Sequence, residues 1–101
     1  MDTKTLLAEA KARFNHNSAK AYLAEKYKNK LLVADQGGLF RADAATIGFL
    51  NSFTQYHIVV IDTFENPVKV VRQELLYKLQ DIYVEVMDAW QSEWQELEGK
   101  R

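Results

Sequence analysis

The chain has 101 residues, of which 48% are hydrophobic and 27% charged, and its formal net charge at pH 7 is −1. These values fit one globular domain and exclude a disordered chain. The lack of cysteine excludes disulfides, thiolate zinc sites and thiol catalysis. The polar start and the absence of a long apolar run predict no signal peptide and no membrane contact, so we expect a cytoplasmic protein.

The first thirty residues predict helical structure. A helix cap is expected at Asp2 or Thr3, and a single buried stripe should follow it. Residues 15–18 (Asn-His-Asn-Ser) favour caps and turns, so the pattern predicts either one kinked helix or two short ones. The apolar residues at spacings of three and four are Leu7, Ala10 and Phe14, followed by Ala19, Tyr22, Leu23 and Tyr27.

Two β-hairpins are predicted from turn residues between short apolar runs. Residues 30–35 form the first strand, Gln-Gly-Gly at 36–38 supplies a tight turn, and residues 39–41 return. Residues 56–62 are the clearest strand because four successive residues in it are Ile or Val. After a turn, residues 68–71 form its partner strand.

The segment between the hairpins is ambiguous. Asp43 is a candidate cap for a short helix that reaches Phe53, with Ile47 and Leu50 directed inward. The same residues also alternate as a strand would. The helix is the favoured interpretation. A strand at residues 45–53 would instead give five short strands after an N-terminal helix, the order of a small Sm-like or SH3-like barrel.

A long amphipathic helix is predicted from Arg72 onward. Glu93 alone interrupts its apolar stripe, which consists of Leu76, Leu79, Tyr83, Val86, Trp90 and Leu97 and is widened by Leu75, Ile82, Met87 and Trp94. The predicted fold is therefore α+β in one domain over residues 1–101. An N-terminal helix or helix pair and the C-terminal helix cover a small antiparallel sheet of two hairpins.

Charge is distributed unevenly along the chain. Residues 4–30 carry seven basic and two acidic side chains, whereas residues 73–98 carry seven acidic side chains and one lysine. We expect the two segments to be neighbours that attract one another, with Glu85 and Asp88 near lysine or arginine side chains. The alternative use of the basic segment is to attract phosphate groups.

No residue pattern identifies a reaction. His16 and His57 lack the spacing of metal ligands. Asp35, Asp43 and Asp62 lie near predicted strand ends, where carboxylates act as acid and base or bind Mg²⁺, but aspartate is equally expected at turns and caps. We therefore expect a protein that is not an enzyme, with no catalytic residue, cofactor or metal.

The aromatic residues near the end of the chain favour an interaction protein. The candidate interface consists of Met87, Trp90, Trp94 and Leu97, and we expect it to form a homo-oligomer through the C-terminal helix or to bind a protein partner. The alternative is nucleic-acid binding through the basic helix or a barrel groove, with Tyr22 or Tyr27 stacking on bases. The phosphate contacts would then be Lys11, Arg13, Lys20, Lys26, Lys28 and Lys30.

One resemblance concerns the two predicted turns. Residues 62–70 (Asp-Thr-Phe-Glu-Asn-Pro-Val-Lys-Val) are followed by Arg72 and Leu75, and residues 34–39 read Ala-Asp-Gln-Gly-Gly-Leu. With these segments the chain resembles short uncharacterised proteins of T4-like tailed phages that infect marine bacteria. The resemblance implies a small virion, assembly or host-takeover protein in the host cytoplasm. It implies no activity and no site residues.

Overall fold

A computed structural model describes residues 3–99 as three helices and two β-hairpins. The α+β fold and the long C-terminal helix predicted from the sequence are confirmed. In chain order the elements are α1 (Thr3–Lys30), β1 (Leu32–Asp35), β2 (Gly38–Arg41), α2 (Ala44–Asn51), β3 (His57–Ile61), β4 (Pro67–Val71) and α3 (Arg72–Gly99).

The first helix is continuous. It runs for 28 residues through residues 15–18, so the alternative of two short helices is wrong, and the kink stays a prediction. Asparagine, histidine and serine each lower helix stability by less than about 0.7 kcal/mol relative to alanine, which a long helix tolerates. Of the two predicted caps, Thr3 is the first described residue of α1 and Asp2 lies outside the described residues.

The segment between the hairpins is the helix α2, and the barrel alternative is therefore wrong. Asp43 caps it as expected, because its Oδ1 atom accepts a hydrogen bond of 2.8 Å from the backbone N–H of Thr46. The helix ends at Asn51, two residues earlier than predicted. The apolar pattern of this segment fits both helix and strand, and the capping hydrogen bond of Asp43 favours the helix.

Both hairpins are antiparallel, but they form two separate two-stranded sheets. The first turns through Gln36 and Gly37, which have φ angles of 49° and 84°. The hairpins meet where the backbone N–H of Thr63 donates to the carbonyl oxygen of Leu39 (2.9 Å). The side chains of Gln36 and Asp62 make the other hydrogen bonds between them.

The hydrophobic core lies between the hairpins, α2 and the beginning of α3. Its most deeply buried large side chains are Phe40, Leu50, Val70, Leu75 and Leu79. The first turns of α3 supply three buried leucines to this core, as the predicted stripe requires. We call this part of the molecule, residues 31–82, the body.

Candidate interaction surface

Outside the body, α1 and the second half of α3 pack against each other as an antiparallel pair. Near the body the rings of Tyr27 and Trp90 stack, with centroids 6.2 Å apart and planes within 10°. Near the other end His16 Nε2 lies 3.2 Å from Glu98 Oε1. The pair, residues 3–30 with residues 83–99, is called the helical arm below. It confirms that the basic and acidic segments are neighbours.

Glu93 is the polar link between the two helices of the arm. Its Oε1 atom accepts hydrogen bonds from the hydroxyl of Tyr27 and from Lys26 Nζ, the latter at 2.9 Å. These bonds, that from Lys26 first, hold the pKa of Glu93 below its ordinary value of 4.5. The hydrogen bond to Glu93 likewise raises the pKa of Lys26. The residue that interrupts the apolar stripe of α3 is thus matched by donors on α1.

The first thirteen described residues of α1 extend past the end of α3. His16 lies opposite Glu98 near the described end of α3, and each of residues 3–15, which precede His16, is exposed. At 1.5 Å per residue this projecting segment is about 20 Å long. It accounts for the elongated shape, whose extents are 65 × 24 × 20 Å. The radius of gyration is 19.2 Å, whereas a compact chain of 100 residues has about 13 Å.

The projecting segment carries an exposed apolar stripe, which consists of Leu6, Leu7, Ala10 and Phe14. Leu7 is 65% exposed and Phe14 is 70% exposed, so the prediction that Leu7, Ala10 and Phe14 form a buried stripe is wrong. Phe14 precedes Leu23, which packs in the arm, by nine residues and lies about 180° around the helix from it. The stripe therefore points away from the side on which α1 contacts α3.

The four predicted interface residues lie along the second half of α3. Trp90 stacks on Tyr27 within the chain. Leu97 lines a hollow of about 210 Å³ together with Tyr22 and Leu23 of α1. Met87 is half-buried, and Trp94 keeps 41% of its surface exposed. Part of the predicted interface is thus used inside the chain. Contact with another molecule stays a prediction for all four residues.

The predicted nucleic-acid contacts do not form one surface. Lys26 bonds to Glu93, and the Nζ atoms of Lys26 and Lys30 lie 5.1 and 5.0 Å from the ring centroid of Tyr27. Lys11 and Lys20 lie about 180° apart around α1. Arg13 and Lys28 also lie on α1 and are exposed. These six side chains of α1 therefore form no continuous basic stripe for a phosphate backbone.

The three aspartates considered as catalytic groups have separate local partners. Asp62 accepts backbone N–H groups of Asn66, Leu39 and Phe64 at 3.0, 3.1 and 3.0 Å, and these bonds lower its pKa. Asp43 caps α2, and Asp35 Oδ1 lies 3.2 Å from Lys78 Nζ.

The two histidines lie in different parts of the described chain. Within residues 3–99 no three His, Asp or Glu side chains are grouped to hold a metal ion. His16 contacts Glu98, and the ring of His57 packs edge-on against Tyr56.

Sequence reasoning missed two features of this surface, the projecting segment and the role of Glu93. Only Glu93 could have been found from the sequence, since a carboxylate within an apolar stripe needs a hydrogen-bond donor on the facing helix.

The described part of the chain contains no helix with the length and hydropathy needed to span a bilayer. Comparison with protein families, curated proteins and solved structures finds no match to this chain.

Proposed function

We propose that this protein is a non-enzymatic assembly module whose helical arm binds a second copy of the chain. The observation that carries the proposal is the projecting segment, residues 3–15, with its exposed apolar stripe. A helix of about thirteen residues is only marginally stable in water without tertiary contacts. A partner that covers the stripe stabilises the helix and removes apolar surface from water.

The position of the stripe favours contact between molecules. Leu7 and Phe14 lie on the side of α1 opposite the side that packs on α3, and both side chains are exposed. Bending of the arm about His16 would not bring the stripe onto α3 of the same chain. A second molecule covers it without any change in the fold.

Charge complementarity favours a second copy as that molecule. The projecting segment carries Lys4, Lys11 and Arg13 against Glu9. Residues 84–99 of α3 carry five acidic side chains and no basic one. If two arms overlap end to end in opposite directions, each basic segment lies beside the acidic end of the other α3. The two copies are then related by a two-fold axis, and the contact between basic segment and acidic end occurs twice.

The same arrangement gives the predicted interface residues a role. Trp94 lies five residues before the described end of α3 and is 41% exposed. In overlapping arms the partner's stripe would approach this end of α3. Tryptophan at the centre of an interface commonly dominates binding energy. Self-association thus uses the C-terminal helix together with the projecting segment. The phage origin stays an expectation, in keeping with an assembly role.

Sedimentation equilibrium of two matched serine variants tests the proposal. Phe14→Ser changes the stripe at a residue that is 70% exposed, and Val84→Ser changes an apolar residue of α3 outside it that is 58% exposed. We expect the unmodified chain to be dimeric at micromolar concentration. Phe14→Ser should raise the dissociation constant about tenfold or more, a loss of about 1.4 kcal/mol, whereas Val84→Ser should leave it unchanged. Equal effects of the two changes, or a monomeric unmodified chain, would refute the proposal.

A further inference from the structure

The two edges of the second hairpin differ in their backbone hydrogen bonding. Asp62 N–H donates to the carbonyl oxygen of Asn66 at 3.0 Å, and Arg72 N–H donates to that of Tyr56 at 2.9 Å. Strand residues alternate between bonding across the pair and facing outward. In this register the odd-numbered residues of β3, His57, Val59 and Ile61, direct their N–H and C=O groups away from β4. None of these groups has a hydrogen-bond partner within residues 3–99.

The outer edge of β4, by contrast, is protected. The side-chain amide of Gln36 bonds to both the N–H and the C=O group of Val71, at 2.7 and 3.3 Å. Pro67 has no N–H group to offer, and Lys69 places a charge at the centre of the edge. Proline, lysine and covering side chains are the usual means of preventing strand addition. The free edge of β3 has none of them.

A groove runs along the free edge of β3. Its wider part, about 390 Å³, lies between the β3 residues Val59, Val60 and Ile61 and the α2 residues Ala45, Thr46 and Phe49. The part next to it, about 190 Å³, continues past Ile61 to Arg41 and Thr63. Val59 and Ile61 are 57% and 61% exposed. The groove thus combines apolar walls with a row of unpaired backbone donors and acceptors.

The charge of the groove is uneven along its length. Arg41 lies at the Ile61 end, is exposed, and has no ion pair within residues 3–99. The acidic residues at the same end, Asp43 and Asp62, direct their carboxylates at backbone N–H groups. The guanidinium group of Arg41 is therefore free to bind a carboxylate of an incoming molecule.

We propose that β3 binds an extended peptide segment of a partner protein as an additional strand. The segment has apolar side chains at alternate positions and a carboxylate at the end beside Arg41. Backbone bonds to His57, Val59 and Ile61 hold it in register, and the α2 wall accepts its apolar side chains. The carboxylate belongs either to an acidic side chain or to the C-terminus of the partner.

Selection from two random peptide libraries, one with free C-termini and one with the peptides embedded in a carrier chain, tests this site. We expect the selected sequences to alternate apolar residues and to carry a carboxylate at one end. Enrichment in the first library alone identifies a C-terminal carboxylate, and enrichment in both identifies an acidic side chain. Selection of no peptide, or of peptides without the alternation, would overturn the proposal.

Two proline variants locate the binding edge. Val59→Pro and Lys69→Pro each remove one outward N–H group, from the two opposite edges of the same hairpin. Binding of a selected peptide should fall about tenfold or more in the first variant and stay unchanged in the second. Arg41→Gln should weaken binding of the carboxylate peptide and leave that of its amide unchanged. Equal binding by the two proline variants contradicts the proposed edge.

Hydrogen exchange of the unmodified protein gives a readout that does not depend on any variant. The amides of His57, Val59 and Ile61 should exchange rapidly in the free protein and slowly with a selected peptide bound. Unchanged exchange on binding would show that the peptide binds elsewhere. Protection that grows with protein concentration alone would show that a second copy occupies the edge, and the proposal of a partner peptide would then be wrong.

Discussion

The two long helices have the same length, 28 residues each, but very different surroundings. Helix α3 begins in the core, where Leu75, Leu76 and Leu79 are buried. Among the described residues, helix α1 buries Leu23 and Tyr27, near its end, and its first thirteen described residues are all exposed. Both sequences contain apolar residues at spacings of three and four. The difference shows that helical spacing of apolar residues in the sequence does not by itself decide whether those residues are buried within the chain.

The largest expected difference between the two regions is in the cost of removing a leucine. Leu79→Ala removes a fully buried side chain from the body and should lower the free energy of unfolding by about 2–5 kcal/mol. Leu7→Ala removes an exposed one from the projecting segment and should change it by about 0.5 kcal/mol or less at protein concentrations that keep the chain monomeric. Urea unfolding followed by circular dichroism measures both. Similar losses would mean that the projecting segment is packed.

Capping residues provide the next comparison. Asp43→Ala removes the hydrogen bond that starts α2 and should cost about 1 kcal/mol. Ser18 lies inside the continuous α1 helix, so Ser18→Ala should stabilise the protein by up to about 0.5 kcal/mol. Thermal unfolding of the two variants distinguishes a cap from an interior position. A loss of stability in Ser18→Ala would indicate that α1 is broken at this residue after all.

Acid should destabilise the arm through Glu93. Its pKa in the folded protein is below 4.5, so the unfolded chain takes up a proton first as the pH falls, and stability decreases below that value. In Glu93→Gln the melting temperature should therefore fall less steeply below pH 4.5. Glu85→Gln, at an exposed residue on the side of α3 away from Trp90, serves as the matched control and should keep the original slope. Identical slopes in all three proteins would exclude this contribution.

The smallest effect is expected from charge reversal on the outer face of α3. Glu85 and Asp88 lie about 140° and 160° around the helix from Trp90, so the expectation that they face the basic helix is wrong. The double change Glu85→Lys with Asp88→Lys should alter stability by about 0.5 kcal/mol or less. Glu93→Lys should lower it more, because it places a cation beside Lys26. A larger loss in the double variant would place the acidic face against α1.

Most of the body was predictable because local chemistry determines it. The turn at Gln36 and Gly37, the cap at Asp43 and the Ile-Val run of β3 each specify their element through backbone preference. The secondary-structure prediction fails where two backbone conformations are close in energy. Residues 15–18 favour caps, but helix propagation on both sides carries α1 through them.

The candidate surfaces were less predictable, since they depend on what lies opposite each residue. The spacing of Leu7 and Phe14 predicts that they share one helix face, but it does not determine which element, if any, packs against that face. In the sequence, Glu93 interrupts the apolar stripe of α3, and only the structure shows that Lys26 and Tyr27 donate hydrogen bonds to it. The free edge of β3 follows only from the strand register, because a shift of one residue would turn the other set of backbone groups outward.

The molar mass in solution tests the central claim most directly. Light scattering should be measured on the whole chain and on a chain that begins at His16, which lacks the projecting segment and keeps every buried residue. The account predicts about twice 11.7 kDa for the whole chain, and a monomer with an unchanged core for the shortened one. A whole chain of 11.7 kDa at every concentration, or a dimer that survives the truncation, would contradict it.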